Sequence, residues 1–463
     1  MGDDGRTVVD ILLADHPFEG FLDPVRRRAA EFGTAHPDYE VRVSTYRYWT
    51  GTGREDFIRI LDQGRVPALV DVYFTETQHA RDAVAATGGP LFTPVQRAIG
   101  QRRQILGEPV VTDDLVDSAR RYYSYDGELV SMPFSVSTGL LYANMTMLRA
   151  AGITEVPQDW DALEAACRTV VQSDDGPSHA IAWAVDGWFF QGAVCQQGGL
   201  LADHANGRSG RAGKVDLASE ESLAWVTWWQ RLHKDGLYLH TGEGQDWAGT
   251  FKAFTEGQVA FLCSSSVMAQ SVVSAGAQAG IEVVAAGLPR NGAVPYSGDI
   301  LGGDSLFLAA GLPPEVEDGA LAFLQYLLNP EGAAAWHRSS GFIPVTHGSH
   351  RLLEAEGWFA GKPHHLEAPK QLDASDGTPA ATGALVGELA NMHADLVQAM
   401  RDVLERDADP VRRFAQATAV AQQRLDDYSR RTAERHAAHR PEAAALPPRT
   451  PDRGPGQGQG FRR

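Results

Sequence analysis

The sequence predicts an α/β fold built on parallel strands with helices on the sheet faces. Three observations carry that expectation. Short apolar strand patterns alternate with helical ones in β-α-β-α-β order near the N-terminus. The same style returns after residue 140. The composition, 43% hydrophobic and 22% charged over 463 residues, suits a folded chain with a large core.

Thr7 to Ala14 (TVVDILLA) reads as a buried strand. Pro24 to His36 follows as a helix with Val25, Ala29 and Phe32 on one face, and Pro37-Asp38 ends it. Tyr39 to Tyr46 alternates as a second strand, Arg54 to Gly64 is a helix, and Ala68 to Tyr73 is a third strand. Further on, Leu140 to Tyr142 ends a strand and Thr146 to Ala151 opens a helix. Trp160 to Val171 is a helix whose start is marked by Gln158 and Asp159, and Ser219 to Lys234 is another. Gly249 to Glu256 precedes a strand at Val259 to Cys263. Gly319 to Leu328 is helical, and Pro330 lets a new helix start at Glu331. Val411 to Tyr428 is the last expected helix. Residues 431–463, ending in LPPRTPDRGPGQGQG and its neighbours, are expected to be a disordered tail.

The net charge is −18, from 59 acidic and 41 basic residues. Such a surface repels phosphate backbones, so no nucleic-acid partner is expected. The three cysteines, Cys167, Cys195 and Cys263, are too few for a paired framework and are read as buried thiols. No run approaches the ~18 to 20 apolar residues of a membrane span. The first residues lack the charge and apolar core of an export signal, so the chain is either cytoplasmic or has lost such a segment.

Phosphate loops, dinucleotide glycine fingerprints, zinc-protease helices and nucleophile elbows are all absent. No cofactor or metal is expected, and His364-His365 reads as a solvated pair. What remains is a polar and aromatic set at expected strand ends. Asp15, His16 and Glu19 follow the first strand; Tyr48 and Trp49 follow the second; Phe74 and Glu76 follow the third. Ser135, Ser137, Trp188, Ser264, Ser265, Gly303 and Asp304 complete it. Ligands of open α/β sheets bind outside the carboxyl ends of the strands, so this set suggests a binding cleft. Trp225, Trp228 and Trp229 are different: their spacing is that of a packed helix face. Trp188 is expected in a loop, and Asp304 in a turn where it could equally be a local cap.

Four stretches, PFSVSTGLLYAN from Pro133, TFKAFTEGQVAFLC from Thr250, LGGDSLFL from Leu301 and NPEGAAAWHRSSGFIPVT from Asn329, carry a family resemblance. Their order and spacing resemble the extracytoplasmic solute-binding proteins of ABC importers, in the carbohydrate branch, nearest the glycerol-3-phosphate and glycerophosphodiester binders. The resemblance implies a periplasmic-binding-protein-like fold. Its two lobes each hold a mixed sheet flanked by helices, with a hinge and a ligand cleft between them. It places residues 7–137 and 284–318 in lobe one and 138–283 and 319–430 in lobe two, with the chain crossing back over Ile281 to Pro289. It implies a monomer that delivers a small carbohydrate-like ligand to transporter permease domains, without catalysis. An export signal removed from the chain would make it a lipoprotein or a secreted protein.

Residue by residue, the resemblance assigns ligand contacts to His16, Glu19, Tyr48 or Trp49, Ser137, Trp188, the serines from Ser264, and Gly303. Three positions depart. Phe74 replaces a carboxylate, with Glu76 two residues on. Phe342 replaces a tyrosine. Leu396 stands where the relatives have an arginine for phosphate. In addition, Asp304 replaces a small residue in the Gly-Gly motif. A bidentate arginine is the usual way to hold phosphate. A sugar, glycoside or related polyol is therefore the expected ligand, neutral or cationic. The competing readings are a binding-protein fold turned into a cytoplasmic enzyme, with Cys195 or Cys263 as nucleophile, or a cytoplasmic sensor.

Overall fold

The computed structural model describes residues 5–16, 20–49 and 52–439. The chain opens with the expected alternation: β1 (Thr7–Asp15), α1 (Asp23–Ala35), β2 (Tyr39–Arg47), α2 (Gly53–Asp62) and β3 (Leu69–Tyr73). A single 3-10 turn, Phe74–Glu76, leads into α3 (Thr77–Asp82), and β4 (Phe92–Thr93) follows. The α1 face written by Val25, Ala29 and Phe32 is buried as its spacing demands. Phe32 alone, fully buried against Phe323, contributes about 1.5–3 kcal/mol.

β5 (Met132–Ser137) and β6 (Gly139–Asn144) are separated only by Thr138, yet they enter different sheets. Then come α4 (Trp160–Val171), β7 (Ile181–Ala182), α5 (Gly187–Gln196), α6 (Glu220–Lys234), β8 (Phe261–Ser265), β9 (Val283–Gly287) and β10 (Gly302–Ala309). The Asp159 side chain accepts from Ala162 N at 2.8 Å and so starts α4 where the sequence marks it. The last part is helical: α7 (Pro314–Leu328), α8 (Pro330–Ser340), α9 (Glu367–Asp373), α10 (Leu389–Arg406) and α11 (Pro410–Ala438).

The first sheet runs β2-β1-β3-β10-β4, with β5 also on β10. β1 is parallel to β2 and β3, while β10 is antiparallel to its neighbours. The second sheet runs β7-β8-β6-β9 and is likewise mixed. One apolar core runs from the first sheet onto one face of the second, and the other face of the second sheet has a separate core. That separate core is centred on a tryptophan slab, Trp160, Trp183, Trp225, Trp228 and Trp229, all almost fully buried.

Three boundaries differ from the sequence expectation. Residues 283–287 form β9 in the second sheet, so the chain crosses back only after them. α7 packs on β1 and α1 and α8 on α1, so residues 319–340, expected in lobe two, cover the first sheet instead. Apolar periodicity gives a helix its buried face but not the sheet that face meets. The expected tail is helical through Ala438, because Tyr428 and Thr432 bury a face that Arg-rich composition hides. Residues 440–463 lie outside the described residues.

The hinge is knotted by side chains. Thr138 donates its hydroxyl to Ile300 O at 2.9 Å, in the returning segment, and its N–H reaches Ser266 Oγ at 3.2 Å. Gln371 on α9 donates to Thr138 Oγ1 at 3.1 Å and Gly139 O at 2.7 Å, and accepts from Leu288 N at 2.7 Å. One buried amide thus holds both crossing strands.

Candidate functional site

The carboxyl ends of β1 and β3 and the amino end of antiparallel β10 lie side by side on the first lobe and deliver the expected polar residues. Asp304 lies within β10, opposite Tyr73 on β3 and Ser135 on β5. It is a strand residue, not the turn or cap residue the two glycines suggested. Gly303 explains why. Its φ of +114° lets the backbone run close against Ser135 O, 1.6 Å from where a Cβ would sit. The ladder slips one register at Asp304/Ser305 and continues as a bulge.

Asp304 is fully buried. Its Oδ2 meets His16 Nε2 at 3.1 Å, and its Oδ1 has no partner. Ser135, also fully buried, has an unpartnered hydroxyl. Orphaned buried oxygens are costly, roughly 1–3 kcal/mol each. Asp71, on the same face of β3, accepts from Ala14 N at 3.1 Å through one oxygen and leaves the other unpartnered. Burial, and then the charge of Asp304, push the Asp71 carboxyl well above the usual range. Its place inside the apolar run ALVDVY was the signal that could have singled it out.

Aromatic rings wall this cluster. Trp49 is 37% exposed and sits edge-on to Tyr73 at 4.6 Å between centroids, and 5.1 Å from His16. Phe342 is buried, stacked on Trp336 at 6.1 Å and edge-on to His16 at 6.2 Å. From the second lobe comes Trp188, in the first turn of α5 rather than in a loop. Asp186 caps that turn, accepting from Trp188 N at 2.8 Å. Gly187 admits the close approach of His393, 2.3 Å from where its Cβ would be. The Trp188 indole lies over Gly302, with Nε1 3.4 Å from Leu301 O.

His16, Trp49, Ser135, Gly303, Asp304 and Phe342 therefore share one cluster. Others are engaged elsewhere. Glu76 is fully buried and pairs with Arg54 and His79, while also accepting from Tyr48 OH at 3.1 Å. Phe74 is buried against Tyr73 and reaches His393 across the lobes, 6.0 Å between centroids. Asp15 is exposed at the end of β1. Ser137 and Ser264 are buried beside the hinge, and the Ser265 side chain accepts from Val267 N. Glu19 lies outside the described residues. Arg54, Tyr73, His79, Gln371 and Glu388 escaped sequence reasoning, since each acts through partners distant in the chain.

Catalytic alternatives find no support in the thiols. All three cysteines are buried and unpaired, and burial pushes the thiols of Cys195 and Cys263 up, away from thiolate. Among the described residues no group of three His, Cys, Asp or Glu could hold a metal. No helix among them is long and apolar enough to cross a membrane.

Residues 27–367 match the family of bacterial extracellular solute-binding proteins. The chain belongs to that family. It is a ligand-capturing receptor for ABC import, and it works outside the cytoplasm as the family does. The sn-glycerol-3-phosphate-binding periplasmic protein of Escherichia coli K12 is 25% identical over 431 residues, covering 87% of this chain and 93% of that one. Among solved structures, the cyclic α-maltosyl-1,6-maltose-binding protein of Arthrobacter globiformis superposes with a TM-score of 0.71 at 16% identity, over 91% of this chain and all of that one. The Mycobacterium tuberculosis UgpB, solved with glycerophosphocholine, gives 0.66 at 19% identity, over 93% of this chain and all of that one. Both lobes and the periplasmic-binding-protein fold expected from the sequence are thus present.

Proposed function

We propose that this receptor captures a sugar, glycoside or related polyol, and that it discriminates against phosphate. One observation carries the reading: the buried Asp304 carboxylate keeps an unpartnered oxygen opposite the unpartnered Ser135 hydroxyl. A ligand O–H satisfies that carboxylate, whereas a phosphate oxygen meets it acceptor to acceptor. Trp49 and Trp188 supply faces for the apolar side of a ring. The nearby cation, Arg54, is already spent on Glu76 and lies 3.8 Å from Glu388. Leu396, in the place of the relatives' phosphate arginine, is buried in the second-lobe core.

The receptor acts as a monomer, without catalysis and without nucleic acid, and is tethered as a lipoprotein or secreted. A thermal-shift screen of sugars, glycosides, polyols and glycerophosphodiesters tests the ligand class, because a ligand of the native state alone raises the melting temperature. The best sugar hit should bind Asp304→Asn about ten- to hundredfold more weakly, as expected for a lost charged hydrogen bond. Tighter binding of glycerol-3-phosphate than of every sugar tried would refute the assignment.

A further inference from the structure

α11 begins in the second lobe and ends on the first. Its N-terminal half buries Phe414, Ala417 and Ala421 in the second-lobe core, against α10 and α6. Its C-terminal half leaves that core. Tyr428 donates its hydroxyl to Asp82 on α3 at 2.6 Å, and its ring sits 4.7 Å from His79. Arg435 pairs with Asp62 on α2 at 2.6 Å. Near the helix end, His439 O approaches Gly88 to 2.9 Å of where a Cβ would sit. Arg211, also from the second lobe, adds an ion pair to Asp82.

This seam differs in kind from the lobe cores. Its contacts are ion pairs and hydrogen bonds, and a cavity of about 90 Å³ lies among His79, Asp82, Glu388, Tyr428 and Arg435. A polar, imperfectly packed interface separates at little hydrophobic cost, as transient interfaces between domains do. It also touches the ligand cluster. Glu76, which binds His79 on the seam, accepts from Tyr48, the neighbour of Trp49.

We propose that the C-terminal half of α11 is an inter-lobe latch, keyed on Asp82, that sets how much of the ligand-free receptor is closed. The lobes are also joined at the hinge by Thr138 and Gln371 and across the cleft by Trp188 over Gly302 and Phe74 against His393, and the latch adds a further, breakable link outside the hinge. Holding the free protein part-closed raises apparent affinity by the fraction made competent. The inference is independent of the ligand class, and its test uses no ligand.

The test compares the full chain with Asp82→Asn/Tyr428→Phe/Arg435→Gln; the first two changes keep side-chain size and the third shortens one surface side chain, and together they remove the seam's charges and the Tyr428 hydroxyl. Spin labels at Glu55→Cys and Glu220→Cys, both exposed and on different lobes, report the inter-lobe distance. The native thiols are buried and stay unlabelled. The triple variant should shift the closed-to-open ratio about tenfold toward open, with a longer distance and a larger radius of gyration. If the variant does not fold, 1 M salt on the otherwise unaltered labelled chain replaces it, since salt screens the seam's exposed ion pairs. An unchanged distance distribution in the folded variant, or in salt where the variant fails, overturns the proposal.

Discussion

Raising the pH from 6.5 to 9 should strip stability from this protein through one histidine. His79 is nearly buried between two carboxylates, its Nδ1 3.0 Å from Glu76 and its Nε2 3.9 Å from Glu388. Arg54, Asp82, Arg431 and Tyr428 complete its charged surroundings. Burial alone would lower its pKa, but Glu388 and Glu76 overcome it and hold the imidazolium to about 9, against 6.5 in the unfolded chain. Between those values the native state keeps a proton that the unfolded state releases. Stability is therefore full below pH 6.5 and falls as pH rises through 9. The rise from 6.5 to about 9 corresponds to about 3 kcal/mol at most. Urea unfolding of the parent and of His79→Gln at pH 6, 7, 8 and 9 measures it. Their stability difference should shrink toward pH 9 by about that amount. A difference that is flat with pH, or that grows, refutes the pairing of His79 with the two glutamates.

Two further outcomes follow from buried groups. His337 and His365 are pulled down by burial to about 4 and about 3, so they fold neutral while the unfolded chain protonates them below 6.5. Stability should fall on acidification from pH 6.5 toward 3, and His337→Gln should flatten that limb in pH-dependent melting. Trp229→Ala, in the centre of the slab and fully buried, should cost about 3–5 kcal/mol by denaturant titration, with ligand affinity unchanged.

Much of this architecture was legible residue by residue. Val25, Ala29 and Phe32 announce α1, and Asp159 announces α4, because helical spacing and caps are local signals. The four stretches carrying the family resemblance were equally direct. What escaped was long-range. Asp304 was read as a turn residue because Gly302-Gly303 usually breaks a strand, yet here the second glycine makes a bulge that keeps Asp304 in register with Tyr73. Glu76 was read as a ligand contact because it follows a strand. Its engagement depends on Arg54 and His79, and its network on Glu388, more than three hundred residues away. The Arg-rich end of α11 looked unfoldable until Asp62 and Asp82 were brought beneath it.

The tryptophan slab has a consequence for anyone who watches this receptor by its own light. Trp160, Trp183, Trp225, Trp228 and Trp229 account for half of the ten tryptophans, and neighbouring rings lie 4.9 to 5.9 Å apart. Excitation shared among rings that close pools in the slab, which sits inside one lobe, away from the cleft. Trp49 and Trp188 are chromophores at the cleft, with Trp336 behind Phe342. A ligand titration read as total emission is therefore a small change on a large constant background, and Trp229→Phe or Trp183→Phe receptors would sharpen it.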